Sequence, residues 1–204
     1  MIVALLVLTL AGCDLMPAEH TLVVGRVVTE NAGETVETVC ALVLNGEGRI
    51  ALARIDEISY PEAKSGASDP LSKKALGDDY NMATYNPAAI GEWYEQVAYL
   101  ERALVGKTRD EALAIETKGA EIVAGCTISV DPYIAAVEAA FDAEDGKKFD
   151  MSGDPHLALV LSGKVDGGEY ISVVTASALF RMQTVAAVSY INRVSVIPAP
   201  SDEQ

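Results

Sequence analysis

Val36-Glu-Thr-Val-Cys40-Ala-Leu-Val-Leu-Asn45-Gly-Glu-Gly48-Arg-Ile50-Ala-Leu-Ala-Arg-Ile55-Asp-Glu-Ile58 is the stretch whose reading decides the fold. Asn45-Gly46-Glu47-Gly48 is a hairpin signal, because these residues accept the backbone angles of a tight turn. Arg49 to Ile58 then reads as the returning strand. Val39 to Leu44 is apolar at every position, so both of its faces require cover and the strand belongs in the middle of a sheet. Upstream, Leu22 to Thr29 is another run rich in β-branched residues, divided from Val36 to Leu44 by a turn at Glu30-Asn-Ala-Gly-Glu34. The result is a three-stranded antiparallel meander.

Downstream the period changes from two to three and four. Ile90, Trp93, Val97, Leu100 and Leu104 lie along one helical face, with Asn86-Pro87 at its start and Gly106 at its end. Thr108 and Glu111 form a capping-box pattern for a short second helix to about Thr117. Asp131-Pro132 suits a third helix start, Asp131 as cap and Pro132 in the first turn, and Tyr133, Ile134, Val137 and Phe141 give that helix a buried side. Before it, Glu121 to Ser129 reads as a tight small-residue turn and a short strand. Beyond Pro155 come three more strand-like runs, His156 to Val165, Tyr170 to Phe180 and Thr184 to Ile197, the first two joined at Asp166-Gly-Gly168. They either extend the first sheet or form a small second one. Gln183-Thr-Val-Ala-Ala-Val188 echoes Glu37-Thr-Val-Cys-Ala-Leu42, a hint of partial repetition. The fold class is α+β: an antiparallel meander packed by two to three helices, with a C-terminal strand extension.

The N-terminus carries a different signal. Ile2 to Leu10 is an apolar run too short to span a bilayer, ending in Leu10-Ala-Gly-Cys13. That ending resembles the bacterial lipobox, which implies cleavage before Cys13, lipidation of Cys13 and a domain anchored at the extracytoplasmic face of the cell membrane. The organisation expected is signal peptide 1–12, tether 13–20, main domain 21–144, linker 145–155, β-rich extension 156–197 and tail 198–204.

Composition narrows the functions. The chain has 204 residues, half of them hydrophobic, with 30 acidic against 15 basic residues and a net charge of −15. Such a chain buries a core and repels nucleic acid. Its two histidines, His20 and His156, form no cluster with cysteine, so the sequence offers no zinc or haem motif. Cys40 and Cys126 are either a disulfide pair or two small buried hydrophobes. No Gly-x-Ser-x-Gly is present, and Gly106-Lys-Thr108 lacks the upstream glycine of a phosphate-binding loop. The sequence shows no nucleophile-base constellation of a hydrolase.

One stretch carries a family resemblance. Glu121-Ile-Val-Ala-Gly125-Cys-Thr127-Ile-Ser129 resembles the attachment segment of small bacterial extracytoplasmic FMN-binding domains, in which an acidic residue leads into Ser/Thr-Gly-Ala-Thr. Glu121 stands at the acidic position, Gly125 at the glycine and Thr127 at the acceptor threonine, with Glu for Asp, Ala124 for Ser/Thr and Cys126 for Ala as departures. Lys73-Lys-Ala-Leu-Gly-Asp-Asp-Tyr80 resembles the family's loop ending in Asp-Tyr, and Glu92-Trp-Tyr-Glu-Gln96 and Val105-Gly-Lys-Thr108 resemble its middle region. The likeness spans about Val36 to Ala143. It implies FMN, covalent through a phosphoester on Thr127 or reversible, with Gly125 letting backbone approach the phosphate and Ser129 donating a hydrogen bond. Tyr80 would either cover the flavin ring or pin its own loop, in the long aperiodic segment Tyr60 to Pro87. The role implied is electron transfer in the envelope with a redox partner protein; the other reading is a non-catalytic envelope lipoprotein of the same fold that binds a partner or small ligand without flavin.

Overall fold

The structure, a computed structural model, describes residues 18–31, 34–60, 69–116, 123–151, 153, 155–166 and 169–195. The meander is present: β1 (Ala18–Asn31), β2 (Glu34–Asn45) and β3 (Ile50–Tyr60) pair antiparallel. In the hairpin turn Asn45 Oδ1 accepts from the backbone N–H groups of Glu47 and Arg49, which fixes the register between β2 and β3.

The helical part follows in order: α1 (Lys73–Leu76), a 3-10 turn (Gly77–Tyr80), α2 (Met82–Tyr85), α3 (Trp93–Leu104), α4 (Arg109–Leu113) and α5 (Asp131–Phe141). A fourth strand, β4 (Lys147–Met151), then joins the first sheet beside β1, giving the order β3-β2-β1-β4. The last strands, β5 (His156–Asp166), β6 (Glu169–Phe180) and β7 (Gln183–Val194), make a separate sheet in the order β5-β6-β7. The protein is thus α+β with two antiparallel sheets and few helices.

The first sheet lies between the other layers. Val23, Cys40, Leu42, Ala53 and Ile55 face the helices, against Trp93, Val97, Leu100, Leu104, Val130 and Val137. On the opposite side Leu22, Val24, Val39, Ala41, Val43, Ile58 and Tyr60 face Leu157, Leu161, Tyr170, Val174 and Ala176 of the second sheet. This is why β2 is apolar throughout: it is covered on both faces and flanked on both edges. The helix layer sits very close at one point. A Cβ on Gly25 of β1 would fall 2.1 Å from the backbone nitrogen of Ala140 in α5, so only glycine lets that helix lie on the sheet.

A carboxylate is enclosed between the sheets. Glu37, fully buried, pairs with Arg26 and accepts a 2.7 Å hydrogen bond from the Tyr60 hydroxyl, whose ring packs 5.0 Å from that of Tyr170. On the helix side Glu101 of α3 accepts from the backbone N–H of Ile55 at 2.8 Å and pairs with Lys74, clamping α1 and α3 onto β3.

Several expectations are corrected. Residues 18–20 belong to β1, not to a tether, and residues 147–151 of the expected linker form β4, because each extends a sheet edge by pairing. The segment from Tyr60 to Pro87 holds α1, the 3-10 turn and α2 rather than a structureless loop. Glu92 caps α3 through a capping box with Glu95, so Asn86-Pro87 lies outside the helix and Ile90 is 62% exposed. The second helix ends at Leu113, and Asp131 is the first residue of α5, with Val130 at the cap. Residues 127–130 form no strand. Cys40 and Cys126 are both free and buried in the helix-side core. The repeat echo falls on unlike positions, an edge strand (β7) and a central one (β2). The residues of the expected signal peptide and Cys13, with Glu121, the 167–168 turn and the 198–204 tail, lie outside the described residues.

Candidate functional site

A cavity of about 370 Å³ opens where the ends of β1 to β3 meet the helix layer. Each neighbouring element contributes to it: Glu57 from β3, Lys73 from α1, Tyr80 from the 3-10 turn, Trp93 from α3, Tyr133 from α5, and Thr127 and Ser129 from the segment leading into α5. Its size falls within the span of about 300–1,000 Å³ usual for small-molecule sites.

The floor is a buried ion pair. Lys73 Nζ contacts Glu57, and Glu57 also accepts a 3.0 Å hydrogen bond from Thr38 Oγ1. Burial pulls the lysine pKa down, but the Glu57 charge and hydrogen bond together with Tyr80 more than offset it, so the ammonium is held above its usual range and stays charged. It also lies 4.9 Å from the centre of the Tyr80 ring and 5.5 Å from that of Trp93, within cation–π range.

Aromatic rings form the walls. Trp93 Nε1 donates to the Tyr133 hydroxyl at 2.8 Å, and the two rings meet edge-on at 5.9 Å. Burial, helped by the Glu57 charge, pushes the Tyr133 phenol well above its ordinary value, so it remains neutral. Tyr80 stacks on Tyr85 at 5.0 Å. Trp93, read from sequence as core, is indeed buried, yet it also borders the cavity.

At the exposed side stands Thr127. Its backbone N–H and its Oγ1 hydroxyl both donate to Gln96 Oε1, each at 2.8 Å. Gln96 is buried in α3 and is itself fixed, since its Nε2 donates to the Gly91 carbonyl at 2.9 Å. The threonine proton is thereby directed at Gln96, which leaves the oxygen's lone pairs to accept. Ser129 gives its hydroxyl proton to Asp131 Oδ2 at 3.0 Å.

Of the residues singled out from sequence, Thr127, Ser129 and Tyr80 come together on this cavity. Gly125 does not line it. It takes φ +86° in the turn closed by the Cys126 N–H to Val123 carbonyl bond, and a Cβ there would meet the Tyr99 ring at 2.7 Å. Its glycine is explained by that turn and that contact. Glu121 and Cys13 lie outside the described residues.

Sequence reasoning missed Glu57, Lys73, Tyr133 and Gln96. One of them left a trace: Gln96 is a polar residue three positions after Trp93, on the buried stripe of α3, and a buried amide must find partners. The other three are brought together by chain segments distant in sequence.

Comparison with known proteins adds no relative. No family model matches this chain, and neither the curated proteins nor the solved structures give a match.

Thr127 is partnered by a neutral amide oxygen, which is too weakly basic to remove its proton, and the one cation among the described lining residues is neutralised by Glu57. Cys126 sits beneath the site with its thiol pKa raised by burial, which suppresses the thiolate.

Proposed function

We propose that the protein is a lipid-anchored extracytoplasmic carrier of the FMN-binding type, with the flavin seated in the cavity and Thr127 as its point of attachment. The observation that carries this reading is that Thr127, an exposed residue, borders a cavity lined by Tyr80, Trp93 and Tyr133. A planar tricyclic ring gains from such walls by stacking, and a threonine fixed by Gln96 offers its oxygen in one orientation. When bound, the flavin itself supplies the electron-carrying chemistry. The protein's share is to hold it: Thr127 at the exposed side, the aromatic rings around it, Lys73 and Glu57 at the buried end. The lipobox-like Leu10-Ala-Gly-Cys13 supports attachment to the membrane, where a carrier would meet its redox partner.

The direct test is expression with a flavin transferase and its flavin dinucleotide substrate. The expected product is yellow, carries the mass of one FMN, keeps its flavin fluorescence after denaturation, and loses all three properties in Thr127→Ala. Flavin lost on denaturation would mean reversible binding. A Cys13→Ala variant is expected in the soluble fraction; unchanged membrane association would count against the anchor.

A second reading is favoured by a different observation. The outer face of the second sheet exposes Val160, Val173 and Ile191, with Val173 and Ile191 directly paired across β6 and β7. An apolar row of this kind suits a lipoprotein that binds a partner without flavin. A colourless product from the expression above would favour it.

A further inference from the structure

The buried end of the cavity specifies more than a flat ring. Lys73 has three N–H donors, of which one meets Glu57 and one the Tyr80 hydroxyl, so one remains, and Glu57 has an acceptor position left on each oxygen after Lys73 and Thr38 are counted. Both residues line the cavity, and both are largely buried. The floor therefore presents a donor and an acceptor side by side, with no net charge.

Two kinds of ligand end can be compared there. A phosphate would add negative charge beside a largely buried carboxylate, with the one cation among the described lining residues already matched, which is unfavourable. A neutral ring edge carrying an N–H next to a carbonyl would satisfy both groups and leave the charge balance unchanged. In a flavin that edge is the pyrimidine-dione end of the ring system.

We propose that Glu57 and Lys73 recognise the pyrimidine-dione edge of the ring, Glu57 accepting from the ring N3–H and Lys73 donating to the neighbouring carbonyl oxygen. This rests on the flavin reading and goes further, because it assigns an orientation. The pyrimidine end lies inward against β3 and α1. The dimethylbenzene end lies outward, on the side of Thr127 and Ser129, and is the edge accessible to a partner.

The test uses the full chain with Thr127→Ala, so that binding is reversible, and two small probes, lumiflavin and 3-methyl-lumiflavin, which differ only in the N3 hydrogen. Titration by fluorescence is expected to show lumiflavin binding at least tenfold tighter. In Glu57→Gln, whose amide still offers an oxygen to Lys73, the two probes are expected to bind within about twofold of each other. Lumiflavin binding with less than a tenfold preference in the Thr127→Ala chain would overturn the orientation and leave the flavin reading standing. So would a preference that persists in Glu57→Gln. Failure of lumiflavin and FMN alike to bind would overturn the flavin reading, and this inference with it. Should Glu57→Gln fail to fold, the probe pair on the Thr127→Ala chain decides the matter alone.

Discussion

Gln96 holds Thr127 with one atom: its Oε1 accepts both the backbone N–H and the hydroxyl of that residue, each at 2.8 Å. The bonds tie the segment before α5 to the first turn of α3, so the position of the candidate attachment oxygen depends on a side chain 31 residues away. Replacing Gln96 with leucine removes the acceptor while keeping most of the volume. The expected loss is about 1–2 kcal/mol in urea unfolding, since water can reach the freed groups of exposed Thr127. Hydrogen exchange at the Thr127 amide should accelerate at least tenfold, a result that simple loss of helix stability would not single out.

Gly25 makes a different kind of prediction. A methyl group there would meet α5 backbone at 2.1 Å from Ala140 N and 2.3 Å from Ala136 O, and backbone cannot rotate away as a side chain can. Gly25→Ala should therefore cost about 3 kcal/mol or more. Gly46→Ala, whose added carbon would sit 3.6 Å from its nearest neighbour, is the control. Similar Tm values for the two variants would contradict the packing described.

Asp56 links stability to pH. It is buried, accepts hydrogen bonds from the backbone N–H groups of Glu57 and Lys74, and has its pKa raised above the ordinary 3.8, with burial as the main cause. The folded state then holds a proton that the unfolded chain has released. Its contribution is fully favourable below pH 3.8 and is lost as pH rises through the folded-state pKa. Asp56→Asn keeps an oxygen for the two amides and cannot ionise. Relative to the variant, the natural protein should lose stability across that window and then run parallel to it; a constant difference at all pH values would refute the assignment.

The turn from β6 to β7 stores strain. Arg181 and Met182 have φ of +48° and +66°, angles that cost a side-chain-bearing residue about 1–2 kcal/mol each. Met182 is 91% exposed, so nothing packs on it in return. Arg181→Asn with Met182→Gly supplies the residues preferred in such two-residue turns and should stabilise the protein by about 1 kcal/mol, after loss of the Arg181 contact with the Phe180 ring at 5.1 Å. Chemical denaturation measures this directly.

Much of the fold is legible in the sequence because its signals are local. The Asn45-Gly46 turn, the apolar run Val39 to Leu44 of β2, the stripe of α3 and the capping box at Thr108 are each contained within a dozen residues. The misreadings came where a partner distant in sequence decided the outcome. Residues 147–151 are mostly charged and short, and they become a strand because the open edge of β1 is there to pair with them. The segment through Lys73 and Tyr80 has no period, yet it is folded by clamps such as Lys74 on Glu101 and the Lys74 N–H on Asp56.

The sequence by itself determined the central meander, the helix stripes and the separate run of C-terminal strands, since hydrophobic period and turn chemistry are properties of neighbouring residues. Tertiary structure alone decided that the C-terminal strands cover the second face of the meander. It alone assembled Glu57, Lys73, Trp93, Gln96 and Tyr133 around Thr127. The physical reason is that a buried charge or amide is tolerated only where another segment supplies its partner, and that pairing exists in space before it can be seen along the chain.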